Sequence, residues 1–267
     1  MSLNQQPVPE SAAVVVPDVP PHSDKTRDVR WSRWANQTAV ISGVVAAIVS
    51  IGAFWVSTKG YLDRRVEMAV NRRLAIYENL ASGLNFNQVD DYDSALPVFH
   101  TAMQDPRFAS STSETQNLVR DGLLYAIVNC EQPLKYGGDI ASMEKRFGND
   151  LPETAWRQQQ FGWYYLRTGR PDIATKHFDR ALQLYRLASD WRGGGNPLRG
   201  IMFVRSVAGD LSGARAAASE AKVRDPSLFP TAIPAEIDSL RHENWYLKME
   251  ALYGDPFKKT MALLAQP

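Results

Sequence analysis

Residues 160–181 read QFGWYYLRTGRPDIATKHFDRA, and this stretch decides the fold. Gly162 and Tyr165 sit three apart, as neighbours on one helix face. Ala174, Phe178 and Ala181 then fall at i, i+4 and i+7, again one face of a helix. Gly169 marks the turn between the two. The spacing predicts an antiparallel helix pair. Gly162 on the first helix permits close approach of the second, and the small-large-small line Ala174/Phe178/Ala181 is a ridge shaped for that groove.

The same pattern occurs once before. Gly83 matches Gly162, Phe86 matches Tyr165, and Ala95, Phe99 and Ala102 match Ala174, Phe178 and Ala181, with Tyr92 as a further aromatic. These two copies resemble tetratricopeptide repeats, whose pattern runs W-x2-L-G-x2-Y, then A-x3-F, then P. Pro106 falls near the proline position of the first copy. Both copies lack the tryptophan, with Asn79 and Gln158 in its place. The resemblance implies an all-α helical-repeat solenoid over residues 76–226 whose concave face binds a peptide segment of a protein partner.

Two weaker copies fill the spacing. Between the good ones lies a divergent helical pair, read as residues 114–130 (with Leu118, Leu124, Ile127 and Val128) and 139–147, separated by Pro133 and Gly137-Gly138. A last copy places Ala214, Ala221 and Pro226 at the expected offsets. Its large residue is replaced by Ala218, and its first helix, 198–208, is read as lacking the glycine–aromatic pair. Residues 191–197, WRGGGNP, form the insertion loop before it. Ile237, Leu240, Asn244, Leu247 and Ala251 share one helical face and read as a capping helix, which an open stack needs over its last apolar surface. Residues 257–264 read as a further short helix.

On the other side of the repeats the chain changes character. Residues 38–56, TAVISGVVAAIVSIGAFWV, carry no charge. At ~1.5 Å per residue these positions reach about 28 Å, close to the hydrocarbon thickness of a bilayer. Trp34 and Trp55 bracket the run where an interfacial aromatic belt would lie. The expectation is a single transmembrane helix over 34–57, an uncleaved signal anchor. Before it, residues 1–33 hold Pro7, Pro9, Pro17, Pro20 and Pro21 without any helical or strand period and read as a disordered tail. Ser42, Ala46 and Ser50, with Gly43 and Ala47 beside them, let a second membrane helix approach, so self-association is a candidate use of that face. After the span, Leu62, Val66, Ala69, Ile76 and Leu80 continue a helical stripe through a juxtamembrane segment, 58–75, with Arg73 as its one charged interruption. The stripe is short for a coiled coil, and packing onto the following helices is expected. Lys25, Arg27, Arg30 and Arg33 before the span balance Lys59, Arg64, Arg65 and Arg72 after it, so positive charge does not orient the anchor. A basic tail is the harder segment to translocate. The N terminus is therefore expected inside and the repeat domain outside, periplasmic in a bacterial inner membrane.

The composition limits the chemistry. Thirty Lys and Arg offset 29 Asp and Glu for a net charge of +1, which argues against a nucleic-acid partner. The single cysteine, Cys130, excludes an internal disulfide. The four histidines, His22, His100, His177 and His242, form no metal-binding spacing, no nucleophile motif occurs, and Gly193-Gly194-Gly195 lacks the lysine of a phosphate loop. No cofactor and no enzymatic activity are expected. Aromatic and polar side chains instead gather in the quoted helix. Trp163, Tyr164, Arg157, Gln159, Arg167 and Arg170 are the candidate partner-binding residues. The expected function is a membrane-anchored protein-binding scaffold, with a structural subunit of an oligomeric membrane assembly as the alternative.

Overall fold

The computed structural model describes residues 64–266. They form eleven α-helices, with three short 3-10 turns and no β-strand among the described residues. The helices are α1 (Arg64–Gln88), α2 (Tyr92–Gln104), α3 (Ser113–Asn129), α4 (Gly137–Lys145), α5 (Ala155–Arg167), α6 (Pro171–Leu187), α7 (Gly195–Val207), α8 (Leu211–Arg224), α9 (Ile233–Leu240), α10 (Asn244–Tyr253) and α11 (Asp255–Leu264). The expected tail, the membrane span and its packing residues Ser42, Gly43, Ala46, Ala47 and Ser50 lie outside the described residues. Among the described residues no helix is long and apolar enough to cross a membrane.

Three helix pairs are closed by one kind of turn. At the α1/α2, α5/α6 and α7/α8 junctions a residue with positive φ ends the first helix: Asp90 (60°), Gly169 (85°) and Gly209 (74°). Glycine takes this left-handed conformation without a Cβ clash, and aspartate tolerates it better than most residues. The next residue sends its N–H five residues back: Asp91 to Phe86, Arg170 to Tyr165 and Asp210 to Arg205, each at 2.9 Å. Its own carbonyl then accepts from the first buried alanine of the second helix, Ala95, Ala174 or Ala214. Asp91 and Asp210 also cap their helices through their side chains, onto the N–H groups of Ser94 and Gly213.

Packing follows from two phenylalanines. Phe99 and Phe178, both fully buried, each lie between two glycines on two different helices. A Cβ on Gly83 (α1) would come within 2.7 Å of the Phe99 ring, and one on Gly122 (α3) would clash with the same ring. A Cβ on Gly162 (α5) would come within 2.6 Å of Phe178, and Gly200 (α7) is as close. Each ring therefore ties its own pair to the first helix of the next. This corrects the expectation that the last pair lacks its glycine and aromatic: they are Gly200 and the fully buried Phe203. Helix α7 runs two residues further past its glycine than α1 and α5 do, so Gly200 lies 14 residues before Ala214 rather than 12 and a fixed offset passes the pair by.

The stripe after the expected span packs inward through Ile76, Leu80 and Leu84, all buried, and α1 contacts α2 and α3. Buried side chains from Leu80 to Leu264 form one continuous core. At its C-terminal end α8 is built on buried alanines, Ala214, Ala217, Ala218 and Ala221, and lies close against α7 at Gly195. Phe257 of α11 stacks on Phe203, with ring centroids 6.3 Å apart. The single capping stripe expected at 237–251 is two helices. The chain turns at residues 241–243, and this rotates the second helix so that Tyr246 and Met249 are buried while Asn244, Leu247 and Ala251 face solvent.

Candidate functional site

Helix α5 carries most of the candidate side chains and divides them between two faces. Thr154 opens the helix by accepting from the N–H of Arg157. Gln159, Trp163 and Arg167 then follow at four-residue steps along one face. Arg157 and Tyr164 lie seven apart along the other.

On the second face Arg157 is a strut inside the fold. Its side chain is 4% exposed and holds Asp121 of α3 with two bonds, Nε to Oδ1 at 2.7 Å and Nη2 to Oδ2 at 3.0 Å. A third bond goes to the carbonyl of Pro152. Tyr164 is buried against Tyr165, and its hydroxyl lies next to Gly137 at the start of α4.

Around Tyr165 the structure assembles a polar chain that spacing does not reveal. The Tyr165 hydroxyl donates to Glu144 Oε2 at 2.6 Å, and His177 Nε2 lies 3.0 Å from Glu144 Oε1. His177 Nδ1 faces Gln158 Oε1 at 2.6 Å, and its ring stacks on Tyr165 with centroids 5.2 Å apart. Gln158 Nε2 donates to Glu153 Oε1 at 2.7 Å, and Arg180 grips the same carboxylate with two bonds. Burial pushes the Glu144 carboxyl up, but the hydrogen bonds from His177 and Tyr165 outweigh it and hold its pKa below the ordinary glutamate value. Glu153 is held below its ordinary value chiefly by Arg180. Asp139, at the other end of α4, lies 3.2 Å from His100 Nε2. Helix α4 is thus held at both ends by histidine–carboxylate pairs. The sequence signal was present, since His100 and His177 flank the two wedge phenylalanines, but nothing in the spacing assigns their carboxylate partners.

On the first face the side chains reach the second helix of their own pair, α6, and the neighbouring first helices α7 and α3. Gln159 is buried and accepts from the Tyr185 hydroxyl at 3.3 Å. Trp163 donates from Nε1 to Asn196 Oδ1 at 2.9 Å and meets Phe178 and Phe203 edge to face, at 5.4 and 5.8 Å. Arg167 donates to the carbonyl of Val128, at the end of α3. Arg170, in the turn, is exposed and lies over the Tyr165 ring at 5.1 Å. The six candidates therefore do not form one surface. Arg157, Gln159 and Tyr164 are committed to internal contacts, Trp163 and Arg167 are half-buried, and Arg170 is open to solvent.

An open cleft adjoins Arg167. It has a volume of about 350 Å³ and is lined by residues 131–135, Arg167, Trp245, Lys248 and Met249. Helix α10 forms one wall, tied down by Lys248 Nζ donating to the Glu131 carbonyl at 3.4 Å and by the Tyr253 hydroxyl donating to the Leu166 carbonyl. Among the described residues no group of three His, Cys, Asp or Glu side chains could hold a metal ion.

Comparison with known protein families, with curated proteins and with solved structures returns no match.

Proposed function

We propose that this chain is a membrane-anchored scaffold: a single transmembrane helix over residues 34–57 holding a tetratricopeptide-like stack of helix pairs at the bilayer surface, where it binds a protein partner. The observation that carries the reading is the repeated wedge, in which Phe99 and Phe178 each sit between glycines of two successive first helices. A stack built by such nearest-neighbour contacts presents an extended surface, and its use is recognition of other chains. The 19 uncharged residues of 38–56 support the anchor, and no constellation of catalytic side chains competes with the binding role. Of the six candidate side chains, Arg170 is the one open to solvent and is the one assigned to partner contact.

A photo-crosslinking amino acid at position 170 of the full chain, activated in intact membranes, tests this. The expected result is a discrete adduct with a different protein, found in the membrane fraction and lost when residues 38–56 are deleted. Adducts with a second copy alone would move the reading to the oligomeric assembly. No adduct at position 170 would overturn partner contact through this helix.

A further inference from the structure

The cleft beside Arg167 has an unusual charge arrangement. Arg167, Lys248 and Lys135 contribute three cations, and the lining holds one carboxylate, Glu131, which is exposed. Neither Arg167 nor Lys248 has a carboxylate within ion-pair distance among the described residues. Arg167 is satisfied by the Val128 carbonyl and Lys248 by the Glu131 carbonyl. The Val128 carbonyl lies in the last turn of α3, where helix carbonyls lack internal partners, and the Glu131 carbonyl lies just past the helix end. Carbonyl oxygens compensate a cation only partly, and burial pushes the Arg167 guanidinium pKa down, which marks an incompletely neutralised charge. The remaining walls are apolar: Pro133, Leu134 (70% exposed), Trp245 and the buried Met249. An exposed leucine beside a half-buried tryptophan and a part-buried guanidinium is a costly arrangement in water and a favourable one against a ligand with one apolar and one anionic end.

We propose that this cleft binds the carboxylate of an amphipathic ligand. The carboxylate bridges Arg167 and Lys248, and the apolar body lies on Leu134, Trp245 and Met249. A carboxylate matches the planar fork of arginine and forms charge-assisted hydrogen bonds. The cleft volume corresponds to about twelve water-sized groups at the ~30 Å³ that a liquid water molecule occupies. That suits a medium-chain carboxylic acid, or the last residue of a peptide with its terminal carboxylate. The proposal holds whether or not the stack also binds a protein through Arg170.

Calorimetric titration of the full chain at low ionic strength tests the chemistry and its source. The probes are octanoate, octanamide, and a short leucine-ending peptide with a free or an amidated C terminus. At least one acid should bind about tenfold or more tightly than its amide, the loss expected for a charge-assisted contact. That preference should disappear in Lys248→Glu and in Arg167→Met. Lys248 is exposed, so Lys248→Glu decides the matter even if Arg167→Met fails to fold. Octanoate binding alone assigns a small carboxylic acid, and peptide binding alone assigns a chain terminus. Equal binding of acid and amide, unchanged affinity in Lys248→Glu, or no binding of either acid would overturn the proposal.

Discussion

Two consecutive residues of α6 face two differently built layers. Phe178 enters a layer made of ring against glycine, between α5 and α7, and Phe99 does the same between α1 and α3. His177 faces the layer between α3 and α5, where the second helix of the pair is the nine-residue α4. That helix supplies only Ile140 and Met143 to the core, with Phe147 and Leu151 filling in after its end. Its hold is polar: Asp139 on His100, Glu144 on His177 and Tyr165. A short helix cannot bury a full ridge, so directional bonds fix its position where dispersion and burial cannot.

Removing a ring should show the contrast most strongly. Phe178→Ala is expected to cost about 3–5 kcal/mol, because a closed apolar layer leaves a cavity. Urea unfolding with an unchanged m-value would measure it, and a loss below about 2 kcal/mol would mean that the layer collapses around the void. The same layer should resist added bulk. Gly200→Ala pushes a methyl into the Phe178 ring and should cost about 1–3 kcal/mol, measured as a fall in the unfolding midpoint; a neutral result would show that the ring has room to move.

The polar layer should answer to chemistry more than to volume. His177→Phe keeps the stacking on Tyr165 and removes both ring nitrogens, leaving Glu144 and Gln158 short of partners. The expected cost is about 1–2 kcal/mol, with faster amide exchange confined to α4. Uniform acceleration across the chain would instead make α4 part of the global unit. The same layer carries a pH dependence. Burial raises the Glu144 pKa but its hydrogen bonds lower it by more, and Arg180 chiefly lowers that of Glu153, so both folded values lie below the unfolded ones. Their stabilisation is present above the unfolded carboxyl value of ~4.3 and is lost as the pH falls through the lowered folded values. Between pH 6 and 3, Glu144→Gln should flatten the decline in unfolding midpoint; an unchanged slope would assign the acid sensitivity elsewhere. Smallest of all, Arg170→Ala removes an exposed cation–π contact and should cost about 0.5 kcal/mol by thermal unfolding.

The wedge layers were legible because their signal is local. Ala95, Phe99 and Ala102 share one helix face, as do Ala174, Phe178 and Ala181, and spacing alone puts them there. The second glycine of each wedge was harder to see. Gly122 and Gly200 serve rings of the preceding pair, so a repeat aligned on its own alanine ridge does not connect them. They recur with Gly83 and Gly162 at intervals of 38–40 residues, each three before an aromatic: Phe86, Tyr125, Tyr165 and Phe203. The helices at 114–130 and 139–147 were placed within a few residues, while the histidine–carboxylate pairs that hold the second were not. Ion pairs across different helices have no period. Nor does the return of α10 onto α3 and α5, and a three-residue turn was enough to move the buried stripe from Leu247 and Ala251 to Tyr246 and Met249.

That return also sets an order of events in the life of the chain. Stacked pairs make contacts that are near in sequence, and each can form as soon as it is synthesised. Tyr253, however, reaches back 87 residues to Leu166, and Lys248 reaches back 117 to Glu131. The ends of α3 and α5 therefore wait, uncovered, until the last helices have emerged. Folding is therefore expected to start locally, with α10 closing over the ends of α3 and α5 after the stacked pairs have formed.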